Sequence, residues 1–267
     1  LRGDQMKRKI RNMNLVDFFH RNTSINKFNQ EKLFYNIGKL YSTEKFLSES
    51  TVKPNEFSSN PNNIKLKNIE NKDKFYLIFN ERRTRRDFKK QKPLSFDIFS
   101  NIIKCSIGIS SYEEMGKMEA PRFTYPTAGG FNSLMFYIIV SNVENVDAGV
   151  YLYNAYHNEL ISIKNNFKMN EFENITSATH LMENSYFTVY IVANLTYSSV
   201  KYGDRTYRFS NIEAGHVGQN LYLLCEYNNL SVVASGSFFD NSFFEYFKID
   251  KHNKYLLYEL VVGESND

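Results

Sequence analysis

Apolar residues are distributed unevenly along the chain, and their density changes near residue 70. Residues 1–70 are polar, rich in Lys and Asn, and interrupted by Pro54 and Pro61, whereas residues 71–267 contain the dense apolar runs. A core needs apolar positions that recur at regular spacing. We therefore expect an N-terminal helical extension and linker over 1–70, followed by one larger domain over 71–267.

The same patterns predict individual elements. In the extension they predict helices over 15–28 and 31–46, with a linker or surface loop over 48–67. In the larger domain, 3.6-residue spacing predicts a helix from an N-cap at Ser95 to about Ile107, and a longer helix over 210–227.

Short apolar runs predict the strands of the larger domain. They are rich in β-branched and aromatic residues, and they cover Leu134–Val140, Val150–Tyr153, Glu159–Ile163, Tyr186–Leu195, Ser231–Ala234 and Tyr255–Val262. The turn over 156–158 joins two of them into a hairpin. Mixed hairpins and crossovers favour an α+β fold, with a central mixed or antiparallel sheet flanked by helices, over a doubly wound sheet.

Composition narrows the function classes. Lys and Arg number 33 and Asp and Glu 29, so the net charge of +4 is too mild to indicate nucleic-acid binding. Cys105 and Cys225 lack the spacing of a metal site, and a reduced, cytoplasmic setting fits them. The longest apolar run, Leu134–Val140, is too short to span a membrane. No metal and no membrane partner are expected.

The basic segment Arg82-Arg83-Thr84-Arg85-Arg86 is the first candidate for chemistry. Guanidinium groups match phosphate oxygens bidentately, and the threonine hydroxyl adds a neutral donor. The pattern therefore predicts a site for a phosphate dianion. A solvated basic turn or a nucleic-acid patch is the alternative interpretation.

Two further segments carry candidate residues. Adjacent glycines in Pro126-Thr127-Ala128-Gly129-Gly130 allow backbone to approach a flat ligand, although such pairs also occur in ordinary turns. Downstream, Lys201 and Tyr202 are possible proton acceptors because Arg205 and Arg208 would favour their deprotonated forms.

Taken together, these segments resemble the SagB-type, McbC-like azoline dehydrogenases, a branch of the nitroreductase superfamily. The segment 82–88 resembles Arg-Arg-Ser-x-Arg-x-Phe, and 126–130 resembles Pro-Ser-Ala-Gly-Gly. The segment 201–220 resembles Lys-Tyr-Gly-x-Arg-x-Tyr-Arg followed by Glu-Ala-Gly-His-x-x-Gln-Asn. Further similarity covers Phe19–Ser24, Gly149–Tyr153, Gly236–Asp240 and Leu257–Gly263. Thr84 and Thr127 replace serines, and Asn132-Ser133 replaces an aromatic-Pro or His-Pro pair.

The resemblance implies a nitroreductase-like fold and an FMN-dependent dehydrogenase that oxidises thiazoline or oxazoline rings of a precursor peptide. It implies Lys201 and Tyr202 as the catalytic pair. Either residue could be the base, and we expect Tyr202 to take the proton with the assistance of Lys201. It implies as FMN-binding residues Arg82, Arg83, Thr84, Arg86, Thr127, Ala128, Gly129, Glu213, Gly215, Gln219 and Gly236. It also implies a homodimer with flavin sites at the subunit interface, and a cyclodehydratase complex as partner.

Two alternatives stay open at this point. The protein could use the same cofactor in the opposite direction, as an NAD(P)H-dependent reductase of nitro, quinone or dehydroamino-acid substrates. It could also be a noncatalytic binding module whose arginine cluster holds an anionic partner, which predicts strongly salt-dependent binding. On the helix that follows the catalytic pair, His216 is expected to be a packed residue rather than a base.

Overall fold

The fold is built around a six-stranded antiparallel sheet. The computed structural model describes residues 15–31, 34–35, 38, 63–68, 72–90, 92–116 and 118–265. The strands are β1 (Ile109–Met115), β2 (Met118–Phe123), β3 (Leu134–Val140), β4 (Gly149–Asn154), β5 (Glu159–Asn165), β6 (Phe187–Asn194), β7 (Ser231–Ser235) and β8 (Lys254–Gly263). The main sheet has the order β5-β4-β3-β6-β8-β7, and β1 and β2 form a separate hairpin.

Helices cover both faces of this sheet. Residues 15–23 form an N-terminal helix. The later helices are α1 (Lys74–Glu81), α2 (Phe96–Ile107), α3 (Ser198–Tyr202), α4 (Arg205–Tyr227) and α5 (Asp240–Tyr246). Across the described ranges, none of these helices has the length and apolarity needed to cross a bilayer.

The central strands are apolar on both faces because both faces are covered. Every residue of β6 except its last is buried, and β3 is nearly as enclosed. On one face α2 and α4 pack against the sheet, and on the other face α5 and short 3-10 turns do so. Edge strand β5, in contrast, leaves most of its side chains accessible. The α+β fold with its antiparallel sheet is therefore confirmed.

Most predicted elements are confirmed within one or two residues, and the main exception is α4. The prediction started this helix at Ser210, but it begins at Arg205. Its first turn lacks an apolar stripe, so periodicity alone misses it. The buried side chain of Thr206 and the contact of Tyr207 with the N-terminal helix hold that turn in place.

The prediction for the N-terminal region also needs correction. The first helix ends at residue 23 instead of 28, and Ile25 donates its backbone N–H to Asp240 Oδ2 at 2.9 Å. Side chains end the helix locally, since the Ser24 hydroxyl donates to the His20 carbonyl at 2.7 Å.

The other two predictions for this region lie partly outside the described residues. Of the predicted helix over 31–46, residues 31, 34, 35 and 38 are helical. Of the loop over 48–67, residues 63–67 lack regular structure. The rest of both segments lies outside the described residues, and the domain boundary at residue 70 stays a prediction.

The N-terminal helix is tied to the larger domain by a polar cluster. His20 Nδ1 lies 3.0 Å from the Tyr207 hydroxyl, and His20 Nε2 lies 3.3 Å from Asp240 Oδ1. The Tyr255 hydroxyl donates to Asp17 at 2.6 Å. These contacts join the N-terminal helix to the beginnings of α4 and α5, so this helix is packed against the domain that carries the sheet.

One buried carboxylate interrupts the apolar core. Glu259 on β8 is fully buried, and neither of its oxygens meets hydrogen-bond geometry with a described residue. Burial raises the pKa of Glu259 to about 7, although the nearby hydroxyls of Tyr190, Ser235 and Thr176 lower it in part. The side chain is therefore neutral in mildly acidic solution and carries a destabilising charge in alkaline solution.

This position predicts a pH-dependent stability. Because the folded pKa of Glu259 lies above its unfolded value, the free energy of unfolding should fall as the pH rises from about 4.5 through about 7. The shift corresponds to about 3 kcal/mol. Glu259→Gln should remove that slope, as measured by urea unfolding at pH 5 and pH 8. Equal slopes in the variant and the parent would contradict the assignment.

Candidate active site

The Lys201-Tyr202 pair lies where the central strand β6 gives way to α4. The strand ends at Asn194, whose side chain accepts from the Thr196 backbone N–H at 3.2 Å. The five-residue helix α3 then presents the pair and ends at Gly203, with φ 55° and ψ −141°. This backbone conformation favours glycine, so Gly203 lets the chain reverse sharply into α4.

The glycine loop contacts this pair directly. A Cβ atom at Gly129 would overlap the Tyr202 hydroxyl and lie 2.8 Å from Lys201 Nζ. Gly129 also has φ +58°, which L side chains rarely adopt. The ammonium group of Lys201 lies 4.9 Å from the centre of the Phe131 ring. Two segments 72 residues apart in sequence, the glycine loop and α3, thus form one site.

The buried side chain of Glu213 holds the glycine loop in position. Glu213 on α4 accepts the Ala128 backbone N–H at 2.7 Å and the Ser133 hydroxyl at 3.1 Å. Ser133 also lies 2.8 Å from Ser210 Oγ. Burial raises the pKa of Glu213, while these two donors oppose the rise. Both Glu213 oxygens are thus used to fix the loop, and a direct contact of this residue with FMN stays a prediction.

Aromatic and basic side chains complete the surroundings of the pair. The rings of Tyr202 and Phe209 meet edge to face at 5.2 Å, and the Arg205 guanidinium lies 5.7 Å from the Phe209 ring centre. Lys201 is exposed and Tyr202 half-buried, so both can reach a bound substrate. The result is an open, cation-rich and aromatic-lined site.

The basic segment lies against the other end of α4. Thr84 Oγ1 lies 3.1 Å from the Tyr222 hydroxyl, and the Arg82 guanidinium lies 5.2 Å from the Tyr222 ring centre. Arg85 forms an ion pair with Glu226 at 3.1 Å. Tyr222 and Glu226 were missed in the sequence, although their i, i+4 spacing places both on one face of α4.

The remaining arginines of the segment differ in their surroundings. Arg83 is exposed and donates to the carbonyls of Asn80 and Arg82 at 2.6 and 2.8 Å. Arg86 is exposed too, and no carboxylate of the described chain pairs with it. Arg86 therefore keeps an uncompensated charge within the described chain, whereas Arg85 is already neutralised by Glu226.

Strand β7 connects the basic segment to Gly236. Thr84 forms an isolated parallel bridge with Val232, and the Tyr222 hydroxyl accepts the Ala234 backbone N–H at 3.0 Å. Gly236 is exposed and directly follows the strand. The segment and Gly236 thus flank one edge strand of the main sheet.

The predicted site residues accordingly fall into two clusters. One surrounds Lys201, Tyr202 and the glycine loop, with Thr127 half-buried at its start. The other surrounds Thr84 and β7. Glu213 and Tyr222, which mark the two clusters on α4, are nine residues apart, or roughly 14 Å along the helix. Gly215 and Gln219 lie between them on the exposed face of α4.

Comparison with known proteins assigns this fold to a family. The model of the nitroreductase family matches residues 80–264, which include both clusters. The protein belongs to the nitroreductase family. A nitroreductase-type protein of Methanocaldococcus jannaschii is 29% identical to this family member over 189 residues, which cover 71% of the present chain and 91% of the relative.

Solved structures agree with the nitroreductase assignment at the level of fold. A nitroreductase-type protein from Anabaena variabilis has a TM-score of 0.60 at 23% identity, and the match covers 72% of this chain but only 38% of that one. A Desulfovibrio desulfuricans protein in complex with FMN has a TM-score of 0.50 at 12% identity, covering 74% and 89%. A chain of the E. coli microcin synthetase McbBCD complex, with truncated pro-MccB17 bound, has a TM-score of 0.62 at 17% identity, covering 96% and 94%.

Proposed function

We propose that this nitroreductase-family protein is an FMN-dependent dehydrogenase that oxidises thiazoline or oxazoline rings in a peptide to thiazoles or oxazoles. The observation that carries the proposal is the convergence of Lys201 and Tyr202 on Gly129. That arrangement places two proton-accepting groups beside a loop whose backbone is free to approach a flat ligand.

The cluster around Thr84 suits the phosphate of FMN, and the cluster around the glycine loop suits its flat ring system. Thr84 and the exposed Arg83 and Arg86 offer a hydroxyl and guanidinium groups to a phosphate dianion. The glycine loop offers backbone without side chains beside the catalytic pair. No Cβ at Gly215 or Gly236 would meet a described atom, so both glycines leave open space for the cofactor or a second subunit.

The reaction removes two hydrogens from adjacent ring carbons of the azoline. Bound FMN supplies the hydride acceptor, and dioxygen would reoxidise it. The chain must therefore bind the five-membered ring in a fixed orientation and take the proton. Tyr202 is the base, and its phenolate oxygen takes the proton from the ring carbon and becomes the hydroxyl. Lys201 Nζ lies 5.1 Å from the Tyr202 ring centre, so its positive charge lies beside the base.

The match to the microcin synthetase supports the proposed peptide substrate and the proposed partner proteins. That structure is a complex with a bound pro-peptide, and the match extends over 96% of this chain, including its N-terminal part. We therefore include an azoline precursor peptide and a cyclodehydratase partner in the proposal. A homodimer is also proposed, since Ile212, Gly215, His216 and Gln219 form an exposed stripe along α4.

Family membership favours a second candidate, an NAD(P)H-dependent reductase of nitro or quinone compounds. One experiment separates the two. The purified protein should be yellow and release FMN on heating. It should convert an azoline peptide to an azole in air, with the loss of two hydrogens by mass spectrometry. Rapid flavin reduction by NAD(P)H with no azole formed would favour the reductase instead.

The arginine environments predict which residue holds the cofactor phosphate. Arg86→Ala should raise the Kd for FMN by about 10- to 100-fold, because a charge-assisted hydrogen bond contributes about 1.5–3 kcal/mol. Arg85→Ala is the matched control and should change the Kd by less than about threefold, because Arg85 is occupied by Glu226. Flavin fluorescence quenching measures both. A larger effect at Arg85 than at Arg86 would reverse the assignment.

A further inference from the structure

A cavity lies at the opposite end of β6 from the Lys201-Tyr202 pair. Its volume is about 390 Å3, which falls in the range of small-molecule sites. It opens at the beginning of β6, whereas Lys201 and Tyr202 follow the end of that strand. The eight-residue strand separates the two by roughly 26 Å. The residues that matter for its chemistry are Lys90, Phe167, Met169, Phe172, Met182 and Ser185.

Four apolar side chains form one part of the cavity lining, and polar residues form the rest. The rings of Phe167 and Phe172 meet edge to face at 5.0 Å, and Phe172 and Met182 are almost fully buried. Met169 is 41% exposed and lies near the opening. Methionine side chains adapt their shape to different apolar ligands. The apolar part of the lining therefore suits an aliphatic chain or a ring.

Polar groups of the cavity suit a single negative charge. Ser185 is 2% exposed, and its hydroxyl has no hydrogen-bond partner among the described residues. An unsatisfied buried hydroxyl costs about 1–3 kcal/mol, so rotation of this side chain toward a ligand oxygen in the cavity would relieve that cost. Among the described residues that line the cavity, Lys90 is the one charged group, and it has no carboxylate partner there.

We propose that this cavity binds a small apolar monocarboxylate, with its chain between the Phe and Met side chains and its carboxylate at Lys90 and Ser185. The neighbouring Lys89 does not take part, because its ammonium pairs with Glu264 at 2.9 Å. The site is separate from the azoline reaction.

Sodium octanoate is a suitable probe, followed by NMR of 13C-labelled methionine methyl groups. Octanoate should shift the Met169 and Met182 signals saturably, while 1-octanol should bind more weakly. Lys90→Gln should weaken octanoate binding about tenfold and leave octanol binding unchanged. Ser185→Ala should also weaken octanoate. Lys89→Gln is the matched control and should behave like the parent protein.

These binding measurements do not depend on azole formation. Equal binding of octanoate and octanol, or equal affinities in Lys90→Gln and the parent, would overturn the carboxylate assignment. Absence of a saturable shift at either methionine would overturn the site itself. Lys90→Gln changes an accessible side chain and Ser185→Ala a small one. An unchanged Tm would show that both variants remain folded.

Discussion

Tyr202→Phe should lower kcat for azole formation by about 100-fold or more, which is the usual contribution of a positioned general base. The phenylalanine ring keeps the edge-to-face contact with Phe209, 5.2 Å between ring centres in the parent, and removes only the hydroxyl that faces Gly129. The flavin should remain bound, because no phosphate-binding group is changed. Single-turnover conversion of an azoline peptide, with FMN occupancy checked by absorbance, measures the effect.

Two further variants sharpen this prediction. Lys201→Met keeps the length of the side chain and removes its charge, so it should lower the rate of azole formation. Tyr197→Phe is the matched control, since Tyr197 is 77% exposed at the start of α3 and should leave the rate unchanged. Wild-type rates in both Tyr202→Phe and Lys201→Met would contradict the proposed catalytic roles of the two residues.

Gly129→Ala should reduce azole formation about as strongly as the loss of the Tyr202 hydroxyl. The new methyl group would overlap that hydroxyl and press against Lys201 Nζ, so the pair must move away from the loop. A displacement near 1 Å at reacting groups costs about 100-fold in rate. The φ of +58° adds a backbone penalty of about 1–2 kcal/mol, which should appear as a lower Tm.

Gly130→Ala separates these two effects. Gly130 has φ +77°, so alanine carries similar backbone strain there, but its Cβ would meet only Arg122 Nη1 at 3.7 Å. This control should lose comparable stability and keep most of its activity. Should both alanine variants lose activity equally, the rate loss at Gly129 would reflect loop strain and not displacement of the catalytic pair.

Two structural levels explain the proposed activity. The nitroreductase fold supplies the sheet and the long helix α4, and the loop residues around that helix supply the chemistry. Glu213 shows how they are linked, because one buried carboxylate joins α4 to both Ala128 and Ser133. Its removal should loosen the glycine loop and leave in place the segment proposed to bind the flavin phosphate, which is held by Tyr222 and Glu226.

The sequence by itself determined the sheet and its chemistry-bearing segments. Apolar runs located β3, β6 and β8 because these strands are buried on both faces and need apolar residues throughout. Local spacing also located α2 and the β4–β5 hairpin. The elements α1, α3 and the exposed β1–β2 hairpin were missed, since few of their side chains are buried. Helix α5 was missed because its seven residues are too few to show a helical repeat.

Only the tertiary structure decided how these segments meet. Sequence spacing reports which residues share a face of one element, and it says nothing about pairs far apart in the chain. Three contacts join segments that are distant in the sequence. Gly129 approaches Tyr202, Glu213 accepts a hydrogen bond from the glycine loop, and His20 contacts Tyr207. Burial also depends on the tertiary structure, because Glu259 looks like an ordinary charged residue in the sequence until β6 and β7 pair with its strand on both sides.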